Sequence, residues 1–226
     1  MAADFRRNAD VSHCPGVLRH SPIYAQSVMA DDELGPWKSL ELDEVIRLFE
    51  RWPARWWITG GVALEIHLGR SWRPHHDSDV SILRDDTPAL PLLLAGWDIN
   101  VAAAGVLTPW DGGALAAQAN ENNMWCRKAP DQPWCLDITI SEGDQKCWIY
   151  RRDPTLRVPW ENAVLRNERG IPYLAPELQL LFKSKRNRAK DDRDAAEVIP
   201  ALAAGRRRRL RDLLPDDHPW QVLLAT

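Results

Sequence analysis

The stretch of sequence that decides the fold begins Trp56-Trp57-Ile58-Thr59-Gly60-Gly61-Val62-Ala63-Leu64. The apolar run 55–58 predicts a short strand, and the glycine pair after it predicts a tight turn. Residues 62–68 are expected to form a helix that ends at Gly69, because glycine accepts the left-handed conformation found at helix ends. A glycine turn that leads into a helix favours phosphate binding, since the N–H groups of a helix start face an anion.

An acidic stretch follows this unit, Asp77-Ser78-Asp79-Val80-Ser81-Ile82-Leu83. We expect a strand over 77–83, with Asp77, Asp79 and Ser81 on a chemical face and the apolar residues on a core face, because successive strand side chains point in opposite directions. Carboxylates two positions apart lie about 6.6 Å from each other along a strand. Such a pair can chelate Mg²⁺, which prefers oxygen ligands and keeps substrate phosphates in its shell.

A third carboxylate lies in Leu136-Asp137-Ile138-Thr139-Ile140, where an acid interrupts an otherwise apolar strand. If this strand lies beside the Asp77 strand, Asp137 completes a group of three carboxylates. It could then bind metal or take a proton from an acceptor hydroxyl as general base. We therefore predict that Asp77, Asp79 and Asp137 are catalytic and bind metal, with two Mg²⁺ ions at the site.

Basic residues precede the acidic strand. Arg73 and His75 could offer charge-assisted hydrogen bonds to a triphosphate, whereas Arg70 is equally explained as a partner of a helix dipole. An Asp-x-Asp motif alone more often lies in an exposed strand or turn. The ordered combination with the glycine turn reverses that interpretation. We predict nucleotide binding by the turn residues and these two basic residues: Thr59, Gly60, Gly61, Arg73 and His75.

The composition limits the classes of function. Of the 226 residues, 45% are hydrophobic and 27% are charged, as in ordinary globular proteins. With 29 basic and 32 acidic residues the net charge is −3, which argues against a nucleic-acid partner. The four cysteines lack the spacing of a zinc site. Because we find no export signal and no apolar run of about 20 residues, we expect a cytoplasmic protein.

The chain is predicted to have three regions. Residues 1–36 are rich in proline and glycine and read as an N-terminal extension, 37–174 as the catalytic domain, and 175–226 as a helical C-terminal region. The fold class is α+β, with a mixed sheet flanked by helices. Helices are predicted at 40–51, 62–68, 88–94, 113–123, 178–188, 191–202, 206–214 and 220–224, and strands at 55–58, 77–83, 97–102, 124–127, 134–140 and 146–150.

The chain resembles a known family at these motifs. Gly60-Gly61-Val62-Ala63 and Arg73-Pro74-His75-His76-Asp77-Ser78-Asp79-Val80 are similar to the signature of the aminoglycoside 2″-O-adenylyltransferase and lincosamide nucleotidyltransferase-like proteins, within the DNA polymerase beta nucleotidyltransferase superfamily. The resemblance covers roughly residues 40 to 222. It continues through Ala95-Gly96-Trp97-Asp98, Trp134-Cys135-Leu136-Asp137, Tyr173-Leu174-Ala175-Pro176-Glu177, Leu180-Leu181-Phe182-Lys183 and Lys190-Asp191-Asp192-Arg193-Asp194.

This resemblance implies a nucleotidyltransferase fold and Mg²⁺-dependent transfer of a nucleoside monophosphate to a hydroxyl group, usually AMP from ATP, with release of pyrophosphate. Asp77, Asp79 and Asp137 match the family's carboxylates, and Gly60 and Gly61 match its triphosphate-binding turn. Lys183 and Asp191 match its C-terminal motif, so the resemblance implies that Lys183 also binds the nucleotide. Members of this branch differ in which carboxylate activates the acceptor. Glu142 and Glu161 are therefore alternatives to Asp137 as the base.

Several functional alternatives remain open from the sequence. The acceptor could be a small molecule, such as an aminoglycoside or lincosamide antibiotic. The basic clusters 183–190 and 206–211 keep open a toxin-like enzyme that modifies tRNA or protein, although the Arg206–Arg209 run is more typical of a solvated helix face. A non-catalytic nucleotide-binding protein is the third class. Four tryptophans could line an acceptor pocket, although core packing is their commoner use: Trp72, Trp110, Trp125 and Trp160.

Overall fold

The computed structural model describes residues 34–75, 77–116, 121–185 and 188–225. Most of the predicted extension 1–36 therefore lies outside the described residues, as do His76 and the middle of the predicted helix 113–123. No helix in the described part of the chain combines the length and the apolar character needed to cross a bilayer.

The described residues form helices and one mixed sheet, so the predicted α+β class is confirmed. The α-helices are α1 (Leu42–Phe49), α2 (Gly60–Leu68), α3 (Leu90–Leu93), α4 (Trp160–Ala163), α5 (Pro176–Lys183), α6 (Ala189–Val198), α7 (Ala204–Leu213) and α8 (Gln221–Leu224). Two 3₁₀ helices span Arg84–Ala89 and Ile199–Ala201.

The sheet has ten strands within the described ranges, and eight of them follow the order β4-β3-β5-β6-β2-β1-β10-β9. Strand β7 pairs with β6, and β8 pairs with β7. The strands are β1 (Trp56–Ile58), β2 (Val80–Leu83), β3 (Asp98–Ala103), β4 (Val106–Pro109), β5 (Asn123–Arg127), β6 (Leu136–Gly143), β7 (Cys147–Ile149), β8 (Arg157–Pro159), β9 (Val164–Arg166) and β10 (Pro172–Leu174).

The predicted strand, turn and helix at 55–68 form as β1 and α2. Helix α2 begins at Gly60 and buries Val62 and Leu64, and Gly69 ends it with a left-handed φ of 67°. Helix α1 lies against the same core through Val45 and Phe49. The glycine turn therefore joins β1 to α2, and both of these elements are anchored in the core by buried residues.

The acidic stretch differs from its prediction, because β2 begins only at Val80. Asp77 and Asp79 therefore precede the strand and do not lie on its face. Ser81 is fully buried and does not belong to a chemical face. Its hydroxyl donates to the Thr139 carbonyl oxygen at 2.9 Å, which satisfies this polar group inside the sheet.

The prediction of a helix over 113–123 is wrong at both of its described ends. Residues 113–116 are not helical, and β5 begins at Asn123. Side chains offer this backbone other partners, which competes with helix formation. The Asp111 carboxylate accepts from the Gly113 N–H at 2.8 Å, and the Glu121 carboxylate accepts from the Ala116 N–H at 3.1 Å. Residues 117–120 lie outside the described part of the chain.

The C-terminal helices share a core with the sheet. Trp57 of β1 packs in one buried cluster with Leu178 and Leu180 of α5 and Val198 of α6. The start of α5 is fixed by Glu177, whose buried carboxylate accepts hydrogen bonds from Arg206 at 2.7 Å and Arg209 at 3.0 Å. The Arg206–Arg209 run is therefore not simply a solvated face, because two of its arginines hold α7 to α5.

A buried ionic cluster joins the loop after α2 to α5 and α6. Asp194 on α6 is fully buried and accepts two hydrogen bonds from Arg73, from Nε at 2.8 Å and from Nη2 at 2.9 Å. The Lys183 ammonium lies 2.9 Å from Asp194 and 3.1 Å from Asp191. Trp72 donates to the same Asp194 carboxylate at 3.0 Å. This cluster, which we call the Asp194 cluster, fixes the loop that leads to Asp77.

The pKa of Asp194 reflects this environment. Burial alone would raise the pKa, but hydrogen bonds and positive charge from Arg73 and Lys183 outweigh burial and lower it to about 2. Because the folded-state pKa lies below the unfolded value of about 3.9, Asp194 stabilises the fold above that value. This contribution is lost as the pH falls from about 4 to about 2.

We expect Asp194→Asn to destabilise the protein by about 3 kcal/mol at neutral pH, because it leaves two buried cations short of a counter-charge. The variant should also lose less stability than the wild type between pH 4 and pH 2. Denaturant unfolding across this pH range measures both effects. Asp212→Asn, at a carboxylate that is 62% exposed, is the matched control and should change stability by less than about 0.5 kcal/mol. Equal stability of Asp194→Asn and Asp212→Asn would contradict this role.

Candidate active site

A cavity of about 590 Å³ opens at the starts of β2, β6 and α2. The strands β2 and β6 are parallel, with Val80 beside Ile138. Asp79 and Asp137 are the residues just before these two positions, so the pairing brings them side by side. Both are half-buried, Asp77 is exposed, and all three line the cavity. The condition under which Asp137 joins the other two carboxylates is therefore met, since its strand pairs with the strand that follows Asp79.

The three carboxylates repel one another. Burial raises the pKa of Asp79 well above its usual range, and the negative charges of Asp77 and Asp137 raise it further. Burial also raises the pKa of Asp137 to about 7, although hydrogen bonds from Asn123 and Trp125 oppose the shift. The Asn123 amide donates to Asp137 at 2.9 Å. Such a group of carboxylates favours either a bound cation or a shared proton.

The chemistry of the donors suits Mg²⁺, because three carboxylates offer hard oxygen ligands at one cavity. Within the described ranges, however, no group of three or more His, Cys, Asp or Glu side chains is already arranged to hold a metal ion. The metal-binding role of Asp77, Asp79 and Asp137 therefore stays a prediction.

The glycine turn packs directly against the carboxylates. Gly60 has a left-handed φ of 70°, and a Cβ placed on it would collide with the Asp79 carboxylate. A Cβ on Gly61 would collide with the side chains of His75 and Arg73. The Gly60 N–H is not free for a phosphate, since it donates to Gln179 at 3.0 Å. Both glycines thus allow side chains to approach the turn closely.

Thr59 connects the turn to the neighbouring strands. Its N–H donates to the Asp79 carbonyl oxygen at 2.9 Å, and its hydroxyl lies 3.3 Å from the Thr139 hydroxyl. The residue lines the cavity although only 8% of its surface is exposed. Thr59 therefore fixes the backbone that carries Asp79.

The predicted basic residues lie at the cavity but already have acidic partners. Arg73 lines the cavity while it is held by Asp194. The His75 ring nitrogen Nε2 lies 2.9 Å from the Glu65 carboxylate. Lys183 is only 7% exposed and is shared between Asp191 and Asp194. Arg70 pairs with Glu197 at 2.6 Å and does not line the cavity.

The alternative bases do not reach this cavity. Glu142 pairs with Arg84 at 2.7 Å, and Glu161 is exposed on α4. None of the four candidate tryptophans belongs to the described lining either. Trp72 donates to Asp194, Trp110 to the Gly113 carbonyl and Trp160 to the Asp144 carbonyl. Trp125 also lies outside the lining, but it is the strand partner of Asp137 in the β5–β6 pair.

The cavity has further lining residues that pattern reasoning missed. They include Asn123, Arg151, Arg152, Gln179, Phe182, Arg188 and Lys190. Gln179 had one available signal, since it is a polar residue between the buried Leu178 and Leu180 of α5. Arg151 and Arg152 follow β7, where a basic pair is also typical of a surface loop. Their place at the cavity depends on tertiary packing.

Comparison with known proteins gives a family match. The family model of aminoglycoside-2''-adenylyltransferase matches residues 41–103. This range contains α1, the glycine turn and Asp77 and Asp79. No curated protein sequence matches the chain.

Solved structures with a similar arrangement include the lincosamide antibiotic adenylyltransferase LnuA bound to lincomycin. It is 23% identical, with 70% of this chain and 94% of that chain covered and a TM-score of 0.47. ANT(2'')-Ia in complex with adenylyl-2''-tobramycin is 14% identical, with coverages of 81% and 92% and a TM-score of 0.48. A solution structure of the antibiotic-resistance factor ANT(2'')-Ia is 14% identical, with coverages of 75% and 86% and a TM-score of 0.48.

The matched range confirms the resemblance that the motifs predicted. It holds the strand, turn and helix that form one side of the cavity, together with the first two of its three carboxylates. Residues 41–103 of the chain are therefore similar to the aminoglycoside-2''-adenylyltransferase family.

Proposed function

We propose that the protein transfers a nucleoside monophosphate, AMP from ATP in the first instance, to a hydroxyl group of a small molecule. The name of the matched family directs attention to aminoglycosides, and lincosamides are the second acceptor class. The observation that carries the proposal is the convergence of Asp77, Asp79 and Asp137 on one cavity that also has basic lining residues. Opposite charges at one cavity suit a reaction between a polyphosphate and a hydroxyl group.

In the proposed reaction the acceptor oxygen attacks the α-phosphorus in line with the leaving group. A bond forms between these two atoms, and the bond from the α-phosphorus to the oxygen that bridges to the β-phosphate breaks. Pyrophosphate leaves with the bonding electron pair. The acceptor proton passes to a base, for which Asp137 is the candidate because its carboxylate lines the cavity beside Asp79.

Asp77, Asp79 and Asp137 would together hold one or two Mg²⁺ ions. Their mutual repulsion supports this assignment, since a cation relieves it. When bound, Mg²⁺ withdraws negative charge from the phosphates and helps to orient them. The protein's own part is to keep the three carboxylates together, which the β2–β6 pairing and the packing of Asp79 on Gly60 support.

The proposed nucleotide-binding role of Thr59, Gly60, Gly61, Arg73, His75 and Lys183 has two parts. The first three shape the turn beside Asp79, and their contribution is to position its carboxylate. The half-buried Arg73 and the buried Lys183 lie at the cavity, and they would favour phosphate through their fixed charge. His75 lines the same cavity beside the turn. Pre-organised charge of this kind needs no rearrangement when the substrate binds.

A pyrophosphate-release screen tests the proposal. ATP, GTP, CTP and UTP are each paired with aminoglycosides, lincosamides and bulk tRNA, with Mg²⁺ present. We expect release that depends on one of the small-molecule acceptors, with ATP as the preferred donor. Asp79→Asn should reduce the rate at least about 100-fold while the protein stays folded, because asparagine keeps the shape of the protonated carboxyl.

Asp131→Asn is the matched control, since it removes an exposed carboxylate that does not line the cavity. It should leave the rate unchanged. Full activity of Asp79→Asn would contradict the proposed mechanism. Release with tRNA alone would overturn the small-molecule acceptor, and tight ATP binding without release for any acceptor would make the protein a non-catalytic nucleotide binder.

Gly60→Ala tests the contact between the turn and Asp79. Its natural control is Gly69→Ala, because both glycines have a left-handed φ, 70° and 67°, but open space surrounds Gly69. Both variants should lose about 1 kcal/mol of stability from backbone strain. Only Gly60→Ala should also lose activity, by about 100-fold, because its methyl group displaces the Asp79 carboxylate. Equal activity in the two variants, measured by pyrophosphate release, would show that the contact is unimportant.

A further inference from the structure

Four basic residues at the cavity either contact α6 or lie on it, and they differ in whether their side chains already have an acidic partner. Arg73, Lys183 and Arg188 are each bound to a buried carboxylate of α6, either Asp191 or Asp194. Lys190 also lines the cavity, but no hydrogen bond or ion pair joins its side chain to another described residue. Its ammonium group is therefore available to a ligand, whereas the others already have partners.

The backbone of Lys190 is held in place although its side chain is exposed. It lies in the first turn of α6, next to Asp191, whose fully buried carboxylate binds Lys183 and Arg188. One turn farther along, Asp194 anchors the same helix to Arg73. The ionic contacts of α6 thus present an exposed lysine at a fixed point of the cavity.

Lys190 shares the cavity with the three carboxylates, since Asp77, Asp79 and Asp137 line it as well. A group that bridges Lys190 and the Asp79 side of the cavity would therefore meet positive charge at one end and carboxylates at the other. A polyphosphate fits the basic end, since an ammonium group is a compact donor that binds phosphate as a point charge.

We propose that Lys190 binds the terminal phosphates of the nucleoside triphosphate and holds the pyrophosphate after transfer. This inference rests on the proposed function, since it names the phosphate-binding side chain of the same cavity. An acceptor that carries amino groups would be repelled by Lys190. The position of Lys190 therefore also orients the substrates, with the donor phosphates on the α6 side of the cavity.

The arginines at the cavity are less suited to this task. The guanidinium of Arg152 donates to the Phe182 carbonyl oxygen at 3.0 Å and lies 5.3 Å from the centre of the Phe182 ring. Arg151 lies 5.7 Å from the same ring centre. These contacts hold both arginines against α5. Lys190 has no comparable contact within the described part of the chain.

Calorimetric titration of the full chain with inorganic pyrophosphate and with tripolyphosphate, in the presence of Mg²⁺, tests this inference. Lys190→Ala should weaken the binding of both about tenfold, and Lys190→Arg should restore most of it. Lys185→Ala is the matched control, because Lys185 is also exposed and close in sequence but does not line the cavity. It should bind both anions within about twofold of the wild type.

Kinetic constants separate a phosphate-binding role from a structural one. Lys190→Ala should raise KM for the nucleotide about tenfold and weaken inhibition by pyrophosphate, with little change in KM for the acceptor. Unchanged anion binding by Lys190→Ala, with turnover retained, would overturn the inference and leave the proposed function intact. Weakened anion binding without transfer to any acceptor would support Lys190 as the phosphate ligand and contradict the proposed transferase. Anion binding too weak to measure in the wild type would overturn the Lys190 inference.

Discussion

The parallel pairing of β2 with β6 is the constraint on which the site depends. It sets Asp79 beside Asp137 at the starts of two neighbouring strands, where burial and mutual repulsion raise the pKa of both. Such an arrangement costs free energy, because like charges lie together away from water. It persists because the surrounding core is well packed and because Gly60 leaves room for the Asp79 carboxylate. Carboxylates with pKa values perturbed by burial and by neighbouring charges are typical of functional sites.

The Asp194 cluster performs the complementary task on the other side of the cavity. One buried carboxylate binds Arg73 from the loop before Asp77 and Lys183 from α5, so residues distant in the sequence are held to one helix. The chain thereby keeps separate sets of negative and positive charge at a single cavity. Fixed, opposed charges suit the proposed transfer, in which a polyphosphate must bind close to a base that accepts a proton. Lys190 extends the positive set with a cation that needs no internal partner.

Sequence patterns predicted the local parts of this site and missed the contacts between distant parts. The apolar run before Gly60 was sufficient to predict a glycine turn, and the acid within an apolar strand marked Asp137 as a candidate third carboxylate. Strands β8, β9 and β10 have only three residues each, too few for an alternating pattern to be recognised, whereas the equally short β1 was recognised from the glycine turn that follows it. The hydrogen bond from Gly60 to Gln179 joins residues 119 positions apart, and no local pattern encodes it. The partners of Arg73 and Lys183 were hidden for the same reason.

The most direct test follows the phosphorus atoms of the donor. The protein is incubated with Mg²⁺, an acceptor that supports pyrophosphate release, and ATP labelled at either the α- or the γ-phosphate. The proposed reaction predicts that the α-label becomes covalently attached to the acceptor and that the γ-label leaves in pyrophosphate. Attachment of the γ-label to the acceptor would indicate phosphoryl transfer instead. Either that result, or acceptor that carries no label from α-labelled ATP, would contradict nucleotidyl transfer at the Asp77, Asp79 and Asp137 site.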